Sequence, residues 1–130
     1  MSIISAVSAD EAGAIATFIG QTRNNFQGKT VTHLEYESYS ALAIKTMLNI
    51  LQEARTIAAA PLSKIALYHR LGACGIGEAS IVVAVSSPHR REAFEACSWI
   101  VDEVKQKAQI FKREYYEGEP ESQASWKQNA

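Results

Sequence analysis

Either side of Tyr39 this chain keeps two different hydrophobic periods, which limits it to folds that pack helix on sheet. In VTHLEYESY (31–39) the residues alternate. Thr32, Leu34, Tyr36 and Ser38 share one face, and Val31, His33, Glu35, Glu37 and Tyr39 the other, the two-residue repeat of a strand. From Ser40 to about Ala60 the step lengthens. Ala43, Met47, Ile50, Leu51, Ala54, Ile57 and Ala58 form one stripe of an amphipathic helix that Pro61 closes.

Both patterns recur elsewhere. GAIATFIG (13–20) is a glycine-bounded apolar run, read as a buried strand, and QTRNNFQGK is an exposed loop. KIALYHRLG and ASIVVAVSS are two strands joined by the glycine-bearing turn ACGIGE. A second helix opens at SSPHRREAF. Ser87 is its expected N-cap, and Pro88 its first helical residue, where the missing N–H costs nothing. Phe94, Cys97, Ile100, Val101 and Val104 carry its stripe to Lys107. IFKREYY is a last short strand or extended arm, and EGEPESQASWKQNA is polar apart from Trp126. The order strand, strand, helix, strand, strand, helix, strand with tight connections predicts an α+β domain: a mainly antiparallel sheet with helices packed on one side.

The length of 130 residues suits a single domain over 1–130, with a short N-terminal segment (1–12) and a polar C-terminal tail (about 117–130). A formal net charge of −1, without basic–aromatic alternation, predicts no nucleic-acid partner. No apolar run approaches the roughly 20 residues of a membrane span, and MSIISAVSADEAGA lacks the features of a signal peptide. Cys74 and Cys97 form no CxxC pair, and the three histidines show no ligand spacing. Neither a disulfide framework nor a metal site is expected, and the cytosol is the expected setting. Cys97 is expected to be a core thiol and Cys74 an exposed turn residue. His33 belongs to a strand face, and His69 reads as a hydrogen-bonded structural histidine.

Three groups of residues are candidates for chemistry. SSPHRR at a strand-to-helix junction sets His89 and Arg90 where free N–H groups and the helix dipole attract an anion; the alternative is a pair of ordinary surface cations. Arg23 in TRNN either forks onto a phosphate or carboxylate, or is a solvated loop charge. In VKQKAQIFKRE (104–114), Lys105 falls at the edge of the apolar stripe, where it can bury its stem and deliver its ammonium into a partly dry pocket. Desolvation would lower its pKa and suit it to proton transfer or acyl chemistry. Lys112, beside Phe111, reaches the same pocket if the arm folds back. The alternative is a basic helix end that complements the dipole, a role that fits Lys107 and Arg113.

As a set, GAIATFIGQTRNN, VTHLEYESY, HRLG, GEASIVVAVSSPHRREAFEA and VKQKAQIFKRE, in this order and spacing, resemble the large, catalytic subunit of molybdopterin synthase from about Gly13 to Trp126. The resemblance implies an α/β hammerhead within the α+β class. It implies transfer of sulfur from the C-terminal Gly-Gly thiocarboxylate of a small ubiquitin-like subunit to cyclic pyranopterin monophosphate, forming the dithiolene of molybdopterin. It also implies a homodimer of this chain at the centre of a heterotetramer. By the same resemblance, Lys105 and Lys112 are the catalytic lysines. Arg23, His89 and Arg90 contact phosphate and pterin, some of them in the neighbouring protomer's site, and Phe18 belongs to the pocket wall. The sulfur comes from the partner, so neither a cofactor nor a metal is called for.

The chain departs from the family's pattern in three places. Pro-Ile-Trp-Lys is replaced by Gln109-Ile110-Phe111-Lys112, which is expected to loosen the chain's direction and remove an indole donor. Val101 stands where a methionine can occur, and few residues precede Gly13. The first departure motivates an alternative, a non-catalytic member that binds pterin or partner without sulfur transfer. Leaving the resemblance aside, an α+β module that senses a phosphorylated metabolite also fits.

Overall fold

A computed structural model describes residues 2–129. The elements in chain order are α1 (Ile3–Val7), β1 (Ala14–Gln21), β2 (Asn25–Phe26), β3 (Lys29–Ser38), α2 (Ser40–Ile57) and β4 (Lys64–His69). They continue with β5 (Gly72–Gly75), β6 (Ala79–Ser87), α3 (Arg90–Lys107), β7 (Ile110–Tyr116), a 3-10 turn (Glu121–Gln123) and β8 (Lys127–Gln128). The change of period at Tyr39 is the boundary between β3 and α2. No helix among the described residues is long and apolar enough to cross a membrane.

The antiparallel pairing is divided between two sheets. One has the order β1-β6-β4; in the other β3 is central, with β7 and then β8 on one side and β2 and β5 on the other. α3 packs on β1 and β6, and α2 packs on α3. Val83 and Val85 of β6 enter the main core with Ile100, Val104 and Ile110, all at most 1 % exposed. The opposite parity of β6, Ala84 and Ser86, is also fully buried. α1 contacts β4 and β6 and buries Val7 completely, so the N-terminal segment covers the back of this sheet.

Several expectations need correction. Ser87 is not the cap of α3. It stays in β6, paired with Ala14, and its hydroxyl donates to the His89 carbonyl at 2.5 Å. His89 is the N-cap and Arg90 the first helical residue, so Pro88 precedes the helix. Phe94 and Ile57 are 63 % and 54 % exposed; at 100° per residue they fall on the flanks of stripes that Ala93, Ala96 and Ala54 fill. Val31 and Tyr36 were expected on opposite faces, yet both are buried. A register shift against β7 between Val31 and His33 reverses the parity of the strand.

The segments expected as a loop and a turn contain short strands. In QTRNNFQGK, β2 and β3 form a hairpin turning at Gln27 and Gly28, with φ of 50° and 79°, the left-handed pair that a two-residue turn requires. In ACGIGE, β5 pairs with β3 and places Cys74 opposite Leu34. Cys74 is therefore fully buried, accepting a hydrogen bond from the Thr22 hydroxyl at 3.2 Å, and is not the exposed turn thiol expected.

Candidate functional site

The end of α3 and the start of β7 meet over a cleft of about 410 Å³. Lys105 reaches it from the last turn of α3, Lys112 from β7, Arg23 from the loop after β1, and Phe18 from β1. These are four of the six residues expected at the pocket, and one chain brings these four together. Lys105 is the hinge of the arrangement, because it also borders an apolar groove formed with Phe18, Phe94, Cys97 and Val101. Helical geometry explains this: Phe94, Val101 and Lys105 lie along one flank of α3.

Pairing fixes the second lysine. β7 lies between β3 and β8, with Lys112 opposite Tyr36 on one side and Lys127 on the other. Only 22 % of its side chain is exposed. Burial pushes the Lys112 ammonium below the ordinary lysine range, and the nearby charges of Lys127, Lys105 and Arg23 push it the same way, against a smaller rise from Glu114. Four cations thus converge here in a chain of near-zero net charge. That local field suits an anionic, phosphate- or carboxylate-bearing ligand.

Glu114 holds the cations in register. Its carboxylate takes a hydrogen bond from Lys127 Nζ at 2.7 Å and one from the Tyr116 hydroxyl at 2.5 Å, with Lys112 Nζ at 3.8 Å. Burial alone would raise its pKa, but the Lys127 and Tyr116 hydrogen bonds and the lysine charges outweigh burial and leave it lowered. Tyr116 responds oppositely, pushed up to about 12 by burial and by Glu114. The sequence carried a usable signal for Glu114: Lys-x-Glu in a strand places both side chains on one face.

His69 and Asn129 also line the cleft, and neither was expected there. His69 has the hydrogen bonds of a structural histidine, to the Arg70 carbonyl and the Asn129 amide, and its ring lines the same cleft as Lys105 and Lys112. Asn129 is 8 % exposed; its backbone N–H donates to the Ile110 carbonyl, and the neighbouring Gln128 side chain donates to the Gln106 carbonyl. The tail expected to be merely polar therefore closes one wall of the site.

The replacement at Gln109 does not loosen the entry to β7. The Gln109 side chain accepts from Thr46 at 2.9 Å and its backbone carbonyl accepts from Tyr39 N–H at 3.1 Å. Phe111, on the face of β7 opposite Lys112, packs edge-on against Tyr39 with ring centres 5.6 Å apart.

His89 and Arg90 are not brought to this cleft within one chain. They sit at the first turn of α3, while Lys105 is in the last; at 1.5 Å per residue the separation along the axis is about 22 Å. The start of α3 has no side-chain cap, so its N–H groups are available to an anion there.

Known proteins resemble this chain in sequence and in fold. The family profile described as "MoaE protein" matches residues 1–107. Molybdopterin synthase catalytic subunit 2 of Aedes aegypti is 47 % identical over 124 residues, covering 95 % of this chain and 78 % of that one. The molybdopterin synthase catalytic subunit of Oryza sativa subsp. indica is 49 % identical over 119 residues, covering 91 % and 58 %. The crystal structure of molybdopterin synthase from Staphylococcus aureus superposes with a TM-score of 0.85 at 28 % identity, over 95 % of this chain and 85 % of that chain. A Helicobacter pylori complex of subunits 1 and 2 of molybdopterin-converting factor shares the fold, with a TM-score of 0.69 at 20 % identity over 90 % and 73 % of the two chains. With its profile, its relatives and its architecture in agreement, the chain belongs to the MoaE family, the catalytic subunits of molybdopterin synthase.

Proposed function

We propose that this chain transfers sulfur from the thiocarboxylated C-terminal glycine of a small ubiquitin-like subunit to cyclic pyranopterin monophosphate, building the dithiolene of molybdopterin. The observation that carries the reading is the convergence of Lys105, Lys112 and Arg23 on one half-dry cleft. A thiocarboxylate is anionic, and its sulfur attacks a substrate carbon while negative charge develops on oxygen. An ammonium preorganised in a partly dehydrated site stabilises that charge far better than water does. Lys105 takes this role and orients the incoming tail; Lys112, held below the ordinary lysine range, positions substrate and exchanges protons.

Arg23 supplies a fork for the cyclic phosphate. His89 and Arg90 complete the phosphate site from a second copy of the chain, in a homodimer flanked by two small subunits. Their separation from their own cleft, and the uncapped helix start beside them, support a shared site. A cytosolic setting goes with this reading, since Cys74 and Cys97 are both free, buried thiols.

The alternative of a non-catalytic member rested on Gln109 and Phe111. The bonds that anchor Gln109 and the inward course of Lys112 favour catalysis instead. The test mixes the chain with a thiocarboxylated small subunit and the cyclic substrate and quantifies dithiolene. Native chain should form product, and Lys105→Ala should lose at least about 100-fold in rate. Equal yields from the two would refute the assignment.

A further inference from the structure

His69 is the imidazole of the cleft that Lys105 and Lys112 also line. Its Nδ1 lies 2.8 Å from the Arg70 carbonyl oxygen, which can only accept, so Nδ1 carries the proton. Nε2 therefore holds the lone pair, and the Asn129 side-chain amide donates to it at 3.1 Å. Tyr36 packs edge-on against the ring with centres 5.0 Å apart and fixes its plane. Burial holds the imidazole below its ordinary pKa, and the Lys105 charge adds to that against the bond to Arg70. The groups facing it are Tyr36 from β3, Lys105 from α3 and Asn129 from the tail, with Arg23, Lys112 and Glu114 on the remaining walls.

On the sulfur-transfer function proposed for this chain, which this role presupposes, the donor's sulfur bonds to a pterin carbon as that carbon's bond to oxygen breaks and its electron pair leaves with oxygen. An acyl thioester then joins the two molecules. Release requires water. Its oxygen bonds to the acyl carbon, the carbon–sulfur bond breaks, and the electron pair stays with sulfur as a pterin thiolate. The donor departs as a carboxylic acid that gives its proton to solvent, and no oxidant or reductant is consumed. One water proton needs an acceptor as the bond forms. Lys105 and Arg23, as ammonium and guanidinium, have no lone pair to offer, and Lys112 is committed to proton exchange at the substrate and to the Glu114 carboxylate 3.8 Å away. Glu114 is already occupied by Lys127 and Tyr116. We infer that His69 Nε2 is the base that takes the proton from the water that cleaves the acyl–sulfur bond, once Asn129 yields its place.

Single-turnover reactions of the assembled synthase with thiocarboxylated small subunit and cyclic substrate test this. His69→Gln should slow dithiolene release by about 100-fold. Intact-mass analysis should then show a small-subunit–pterin thioester accumulating. The native rate should fall with acid through an ionisation below the ordinary imidazole range, and that limb should vanish in His69→Gln. Asn129→Ala should retain the acid limb whatever its rate, because His69 is still present to titrate; if the limb is lost with Asn129, His69 merely holds the tail and the assignment is overturned. Matching rates and pH profiles for native and His69→Gln overturn it as well, while leaving sulfur transfer intact. Absence of product from the native complex sinks both together. Should His69→Gln melt below the assay temperature, the native acid limb decides, and a flat profile overturns the role.

Discussion

Lys112 and Glu114 point from the same face of β7, their charged ends 3.8 Å apart, and Glu114 is the less exposed of the two. The carboxylate is therefore the counter-ion about which the cations of the cleft are arranged. Glu114→Gln keeps the shape and removes the charge, leaving Lys112 and Lys127 to repel each other. Between the values for exposed and buried pairs, a loss of about 2 kcal/mol of stability is expected, with at least tenfold lower activity. Urea denaturation and the dithiolene assay measure the two. Unchanged stability would mean that Lys127 leaves the pair in solution.

The same carboxylate gives the fold an acid limit. Its folded-state pKa is lowered, so its stabilisation is fully present above the unfolded carboxylate value and is lost as pH falls through the folded one. Glu35, lowered by hydrogen bonds from Tyr115 and Arg113, behaves alike. Unfolding free energy should be flat near neutrality and decline below the ordinary carboxylate range. Glu114→Gln should decline less steeply, a difference read from denaturation curves at a series of pH values.

Lys112 has the opposite sign. Its depressed pKa means that the folded state disfavours its charge, and stability gained from this group rises with pH between its folded and unfolded values. Below that window the strain is fully present. Lys112→Met, apolar and of similar length, should therefore raise the melting temperature by a few degrees while abolishing sulfur transfer. A fall in melting temperature would show that the ammonium is better solvated than its 22 % exposure implies.

The parts of this site visible in the sequence are those set by local periodicity. The edge position of Lys105 follows from the spacing of Val101 and Val104, and α3 keeps it. The hidden parts depend on pairing across long separations. β5 becomes a strand only because β3 offers it an edge, which also turns Cys74 inward. Asn129 reaches His69 only because β8 adds to β7, sixty residues further along the chain. No local pattern encodes such partners. The start of α3 was misplaced for a related reason: Ser87 and Pro88 look like a cap, but pairing with Ala14 keeps Ser87 in β6.

That junction is held by a close approach. A Cβ on Gly13 would lie 2.6 Å from the Pro88 carbonyl oxygen, a backbone atom with little room to yield. Gly13→Ala should cost about 1–3 kcal/mol and displace the turn that carries His89 and Arg90. If those residues serve phosphate in a neighbouring copy's cleft, KM for the cyclic substrate should rise more than kcat falls. Equal effects on both would argue for a purely structural role of the turn.

Gln109 allows a test of the departure from the family's Pro-Ile-Trp-Lys pattern. Ala108 already has an extended backbone, φ −73° and ψ 141°, the conformation that a following proline demands. Gln109→Pro would forfeit the 2.9 Å bond from Thr46, worth about 1 kcal/mol, and recover a comparable amount by restricting the unfolded chain. The Gln109 carbonyl, which accepts from Tyr39, is retained in proline. Stability should therefore stay within about 1 kcal/mol of native with the dithiolene rate preserved, whereas Thr46→Val, which gains no such compensation, should lose about 1 kcal/mol. A large loss in Gln109→Pro alone would show that the glutamine side chain, rather than the β3–β7 pairing, directs Lys112 into the cleft.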